Sequence, residues 1–352
     1  MSGASEARCV ASDASAARAG PEVTPGDAAR IGRCLPPRLP PRVSPHEVAA
    51  LSSRLARVAV ASLYDELALY PKPGLVSLRD AGAHADMDAR TFIRSIFALR
   101  GYFRAIAGAG IRGATFGEMK MLGIAAEARM LRATRGVNTH RGAIFCMGLA
   151  CAAAGWRLAR GGSAGDAELR ATLRRWQYDL RTSPPGGDAA PQHDEARSHG
   201  RVAVLRHGVD GARGEAARAF PSVFQCALPA LRAALARGAN AEQAQLHALF
   251  ALMAQVADTN VLYRGGIDGL QVMRAAAQRF LAQGSVFASG SSARAIELHR
   301  HFCALGLSPG GCADLLGVTC FVQRVQTGEF RGSPSAHGRR APDVAGRTAQ
   351  AR

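Results

Sequence analysis

Lysine is almost missing from this chain. Its 44 basic residues include only Lys72 and Lys120; the rest are arginines. Other absences exclude whole classes. No two of the eight cysteines form Cys-x-x-Cys, and four of them sit in apolar helical runs, so zinc sites and disulfides give way to small core side chains in a reducing compartment. The longest apolar run, 143–155, is too short for a bilayer span, which takes about 20 residues. The N-terminus carries arginines but no apolar signal core, so the expected location is cytoplasmic and no membrane partner is expected. No useful strand alternation occurs anywhere, and no P-loop, dinucleotide fingerprint or serine elbow is present. Aromatic residues are scarce at 6%, which leaves few stacking platforms for nucleic acid.

What remains is an Ala/Gly/Arg-rich, all-α chain. Its 352 residues are enough for a large core, and its net charge is +17. Setting aside +2 in residues 1–45 and +3 in 332–352 leaves +12 for 46–331, a balance that favours an anionic partner such as a polyphosphate or phosphorylated cofactor. The reading is one multi-helix bundle over 44–331. It has a disordered extension at 1–43, a flexible loop at 182–197 containing His193-Asp194, and a disordered tail at 332–352.

Order begins at Ser44-Pro45-His46-Glu47, a capping box with proline at the first helical position; Leu51, Leu55, Val58, Ser62 and Leu63 follow at helical spacing. Next comes Tyr70-Pro71-Lys72-Pro73-Gly74, where two prolines hold Lys72 extended in an exposed loop and Gly74 lets the backbone turn or approach a ligand. His84, Asp86 and Asp88 follow; Asp88 caps a helix bearing Phe92, Ile96, Phe97, Leu99 and Phe103 on its core face, ended by Gly108-Ala109-Gly110. Thr115 and Glu118 box a helix to about residue 133, with Met119, Leu122, Ala126 and Met130 as its stripe. The turn Asn138-Thr139-His140-Arg141-Gly142 opens an almost wholly apolar helix, a setting that suits a phosphate or simple capping by Thr139. Leu169, Leu173, Trp176 and Leu180 face inward from a surface helix.

Downstream, Gly208-Val209-Asp210-Gly211-Ala212-Arg213-Gly214-Glu215 pairs an arginine with a carboxylate. Helices occupy about 219–236 and 241–257, the second capped by Asn240. That helix delivers Asp258, an acid at a C-terminus where the macrodipole opposes it, which argues for a functional role. Asn260, Arg264 and Gly265 follow. Ser308 caps and Pro309 starts a last helix, with Gly310 and Gly311 bringing amides near an anion and Asp314 one turn in. Five polar, Gly-rich turns thus interrupt an apolar bundle. A pocket built from them would bind a polyphosphate through Lys72, His140, Arg141, Arg213 and Arg264. Asp86, Asp258 and Asp314 would hold Mg2+ or abstract a proton.

Six ordered stretches carry a resemblance: Pro71–Val76, Gly82–Met87, Gly136–Phe145, Gly208–Ala216, Asp258–Gly266 and Ser308–Leu316. Over about residues 48–325 the chain resembles the triphosphoribosyl-dephospho-CoA synthase family, with Arg141 where a lysine is more usual and an idiosyncratic 182–197 loop. The resemblance implies a transferase for which ATP is substrate and Mg2+ a companion. The 2′-hydroxyl of 3′-dephospho-CoA attacks the ribose of ATP, adenine leaves, and the triphosphate stays intact. The product passes to a holo-acyl-carrier-protein synthase for malonate decarboxylase or, alternatively, citrate lyase; the Arg-rich chain, with no fused transferase domain, leans the reading towards the former.

The implied roles are phosphate binding by Lys72, Arg213 and Arg264, and contact of His140 and Arg141 with the triphosphate or the CoA diphosphate. Asp258 is the first choice for base or magnesium ligand, then Asp86, then Asp314, and Glu215 orients Arg213. Gly74, His84, Asn138, Thr139, Asn260, Gly265, Ser308, Gly310 and Gly311 complete the expected site. A homo-oligomer is compatible with all of this. Two other readings stand beside it: a basic helical nucleic-acid-binding protein, and a metal-dependent phosphohydrolase.

Overall fold

A computed structural model describes residues 43–182 and 199–328. The extension expected at 1–43 (apart from Val43), the loop with His193-Asp194 and the C-terminal tail lie outside these described residues. Within them the chain is helical, with no strand: α1 Pro45–Ala68, α2 Ala89–Arg112, α3 Phe116–Ala133, α4 Arg141–Leu158, α5 Asp166–Leu173, α6 Gln177–Thr182, α7 His199–His207, α8 Gly211–Ala217, α9 Leu228–Ala236, α10 Ala241–Gln255, α11 Thr259–Ala282, α12 Ser291–Ala304 and α13 Gly310–Thr327. No single helix among the described residues is long and apolar enough to cross a membrane.

Local grammar explains where most helices start. Both halves of the capping box form at Ser44/Glu47, Thr115/Glu118 and Asn240/Gln243, and Asp88 accepts from the Thr91 backbone N–H. The expected stripes also hold in outline. Ile96, Leu99 and Phe103 are buried, as are Leu169, Leu173, Trp176 and Leu180. Phe97 departs from the expectation at 62% exposure. It stands about 100° round the helix from Ile96, off the apolar face. The single surface helix expected to carry Leu169, Leu173, Trp176 and Leu180 is α5 and α6 joined by a 3-10 turn at Arg174–Trp176. The helix expected from residue 219 is preceded by left-handed backbone at Ala219 and Phe220 and opens with a π turn at Ser222–Ala227. The cysteines within the described residues are free, and all but Cys303 are buried.

α4 is the centre. It is buried all round from Ala143 to Gly155 except at Phe145, and α1, α2, α5 and α13 pack on it. The α2–α4 crossing is close because small residues line it. The Gly108–Gly110 stretch therefore does not end α2; Gly113, in left-handed conformation, does. A Cβ on Gly110 would lie 2.1 Å from the Ala152 carbonyl oxygen. Nearby, the Tyr102 hydroxyl donates to the Ile144 carbonyl at 2.8 Å. Gly110→Ala is expected to destabilise the fold by about 1–3 kcal/mol through overpacking. Urea unfolding would show this as a lowered midpoint with an unchanged slope.

Candidate active site

The polar turns converge on one cavity of about 1370 Å³. Its wall takes Glu66 from α1, His84 and Asp86 from the first polar turn, and Asn138, Thr139, His140 and Arg141 from the turn into α4. Arg213 and Glu215 come from α8, and Asp258, Asn260 and Arg264 from the start of α11. Ser308, Gly310, Gly311 and Asp314 come from the start of α13. Phe92, Phe116, Met119 and Phe145 add apolar surface. Of the expected site residues, Lys72, Gly74 and Gly265 do not line this cavity.

Lys72 is the largest correction. Its loop does not present it to solvent: the residue is 1% exposed, and its ammonium donates to the Glu66 carbonyl and, at 2.6 Å, to Glu66 Oε1. Burial pulls its pKa down against the opposing pull of Glu66. The His299 ring holds the Lys72 carbonyl from the other side. The ammonium thus points inward, at Glu66, and not at a phosphate. Gly74 and Gly265 both abut Leu307 and serve packing.

Asp258 is corrected as well. It is not a misplaced acid at the end of α10 but the N-cap of α11. Its Oδ1 accepts from the N–H groups of Asn260 (2.9 Å) and Val261 (3.2 Å), while Oδ2 accepts from Cys312 N–H (2.8 Å) in α13. The macrodipoles of two helices favour its charge. Burial still outweighs these donors and pushes its pKa up.

Asp314, carried by α13, lays its carboxyl group at the N-terminus of α4. Its Oδ2 lies 1.9 Å from where a Cβ on Gly142 would be, with the Ala143 N–H close enough to favour its charge. The amides expected to receive a phosphate there are thus partly taken by a carboxylate. Burial, then the charges of Glu66 and Asp258, push the Asp314 pKa well above the ordinary range.

His140 has Nδ1 2.7 Å from Ser95 Oγ and 3.1 Å from Thr139 Oγ1, with its ring edge-on to Phe92. Burial lowers its pKa to about 3, so it meets a ligand as a neutral ring, not as a cation. Its Nε2 is buried without a partner among the described residues. Asn138 supplies the turn's cap by accepting from the Arg141 N–H at 3.2 Å, a role Thr139 does not take; Arg141 pairs with Glu127.

Arg264 fastens the first polar turn to the last. It donates to the carbonyls of Ala83 and Gly306, each at 3.1 Å, and reaches His84 Nδ1 at 3.0 Å. His84 Nδ1 therefore accepts, and its Nε2–H donates to Ser308 Oγ at 2.8 Å. That is a neutral ring, in keeping with the lowering of its pKa by burial and by Arg264. Ser308 serves this bond instead of capping α13, whose cap residue is Pro309. Asp86 lies at the exposed rim, 3.6 Å from His84. Arg213 donates to the Leu180 carbonyl (2.8 Å). Glu215, expected to orient Arg213, accepts from Ser222 N–H (2.7 Å) and lies beside Arg218; burial raises its pKa.

Magnesium finds no cage here. Among the described residues no three His, Cys, Asp or Glu stand together as ligands, and Asp258 already serves three backbone donors.

Glu66 escaped the sequence reading. Its signal was an acid at the spacing of the buried positions Leu55, Ala59 and Ser62 of α1, a core face where a lone carboxylate is costly.

The profile of the ATP:dephospho-CoA triphosphoribosyl transferase family matches residues 52–331. The chain is 42% identical over 270 residues to the 2-(5''-triphosphoribosyl)-3'-dephosphocoenzyme-A synthase of Pectobacterium atrosepticum, covering 74% of this chain and 86% of that protein. It is 40% identical over 287 residues to the Klebsiella pneumoniae protein of the same name, covering 80% and 98%. It is 38% identical over 285 residues to a probable synthase from Pseudomonas fluorescens, covering 80% and 94%. No solved structure matches the chain.

Proposed function

Since the chain belongs to the ATP:dephospho-CoA triphosphoribosyl transferase family, we propose that its cavity holds ATP and 3′-dephospho-CoA side by side. There the triphosphoribosyl group passes to the 2′-hydroxyl and adenine is released. The cavity carries this reading. At about 1370 Å³ it exceeds the range of about 300–1,000 Å³ that suits one small ligand. Arg141, Arg213 and Arg264 share its wall with buried Asp258 and partly buried Asp314. Arginines neutralise phosphates. A wall with more than one carboxyl group can take up the hydroxyl proton and return one to the departing adenine. Magnesium, for which the wall offers no cage, arrives bound to the ATP phosphates. We place the reaction in the cytoplasm, and its product on the acyl carrier subunit of malonate decarboxylase.

The test mixes the protein with ATP, Mg2+ and 3′-dephospho-CoA and follows products by chromatography with mass detection. Free adenine in equal amount to a triphosphoribosyl adduct is expected. ADP or phosphate would replace this reading with a phosphohydrolase. Salt-sensitive DNA binding without turnover would favour a nucleic-acid-binding protein. Presenting the adduct and a holo-synthase to the apo acyl carriers of malonate decarboxylase and citrate lyase then decides the destination by which carrier gains mass.

A further inference from the structure

Glycosyl transfer to an alcohol needs a group to take the hydroxyl proton and a group to give one to the leaving base. The carboxylates on the wall differ in what they have free. Asp258 serves three backbone N–H groups, Glu215 is held by Ser222 N–H, and Asp86 stands at the open rim. Glu66 is different. It is 6% exposed, yet it lines the cavity. Lys72 engages its Oε1, and among the described residues the hydrogen bonds made to its side chain end on that oxygen, which leaves Oε2 to the cavity.

Lys72 is itself clamped. Its loop turns through a Leu75 N–H bond to the Lys72 carbonyl at 3.2 Å, Gly74 lies against Leu307, and His299 grips the same carbonyl. A buried ion pair is seldom a net gain in stability over apolar side chains, so a pair held this firmly at a cavity wall asks for another reason.

We propose that Glu66, positioned by Lys72, is the base that accepts the proton of the attacking 2′-hydroxyl, with Asp314 as the acid that protonates the departing adenine. The assignment rests on the transferase reading above. The 2′-oxygen forms its bond to C1′ of the ATP ribose as the C1′–N9 bond breaks. Adenine leaves with that electron pair and takes the proton of the Asp314 carboxyl. The hydroxyl proton ends on Glu66, and exchange with solvent returns Glu66 to its charged and Asp314 to its neutral form. A carboxylate set beside an ammonium and a second carboxyl group on the same cavity wall are a recurring acid/base pairing.

Three variants test Glu66, with adenine release, ATP dissociation constant and thermal unfolding read on each. Glu66→Gln is expected to lose at least ~100-fold in turnover at saturating substrates with ATP affinity unchanged. The double variant Glu66→Gln/Lys72→Met removes both charges and so relieves any unpaired buried ammonium. It is expected to fold and to stay as inactive. Glu66→Asp, which keeps the charges and withdraws the carboxylate by one carbon–carbon bond, is expected to fall between Glu66→Gln and wild type. Wild-type turnover in Glu66→Gln or Glu66→Asp, or its recovery in the double variant, overturns the proposal, the last by showing that the pair only holds the fold. Adenine release by the wild type, run alongside, separates failure of the transferase reading from failure of the Glu66 assignment.

Discussion

Asp314→Asn should cut turnover by about 10²–10⁴-fold, the span of a lost general acid, while leaving the folded state as stable or more so. The asparagine oxygen can still face the Ala143 N–H, and Gly142 still leaves room for it. What is lost is the transferable proton and, above it, the charge. The folded-state pKa of Asp314 lies above its unfolded value near 3.8. Between the two values the folded chain holds a proton that the unfolded chain has released, so the stability Asp314 contributes is complete below the unfolded pKa and is lost as pH rises towards the folded one. Asparagine has no such slope. The stability of Asp314→Asn relative to wild type should therefore improve steadily above about pH 4. Asp258, whose pKa shifts the same way, is coupled to Asp314 by charge repulsion, and removing the Asp314 charge eases its ionisation and adds to the difference in the same direction. Urea midpoints of the two proteins from pH 5 to 8 check this; parallel pH profiles would show that Asp314 is ionised in the fold. Undiminished adenine release would remove it from the chemistry.

The sequence was most legible where the rules are local. Ser44/Glu47, Thr115/Glu118 and Asn240/Gln243 announce helix starts because both partners of each box lie within one turn. The convergence of the polar turns was legible too, since an apolar bundle leaves such turns only at its lip, and most of them do line one cavity. Three failures share a cause: the deciding partner is distant in sequence or belongs to a different element. Two prolines fix the backbone around Lys72 but do not say which way its side chain goes, and Glu66 sits on the preceding helix. Gly110 reads as a stop when its neighbour Ala152, across the α2–α4 crossing, is unseen. Asp258 reads as the end of α10 when it is the beginning of α11, because only Val256 and Ala257 separate it from Gln255.

That last misreading leads to the largest expected loss of stability. Asp258→Ala strips the acceptor from three backbone N–H groups, those of Asn260, Val261 and Cys312, at the junction of two helix N-termini. Each buried, unsatisfied donor costs about 1–3 kcal/mol, and their sum, softened by relaxation and entering water, is about 3–5 kcal/mol. Asn260, Arg264 and Asp314 ride on the same two helices, so activity should vanish with the fold. Asp258→Asn separates scaffold from chemistry. One oxygen can keep the Asn260 and Val261 bonds, but the amide then sets donor against donor at Cys312 N–H, for a loss of about 1–3 kcal/mol. Assayed well below its unfolding midpoint, this variant should retain most of its turnover, because Asp258 binds the helix ends together and leaves proton transfer to other carboxylates. A folded Asp258→Asn protein that had lost ~100-fold in turnover would instead return the base to Asp258, and Glu66 would then be left with no work beyond its ion pair.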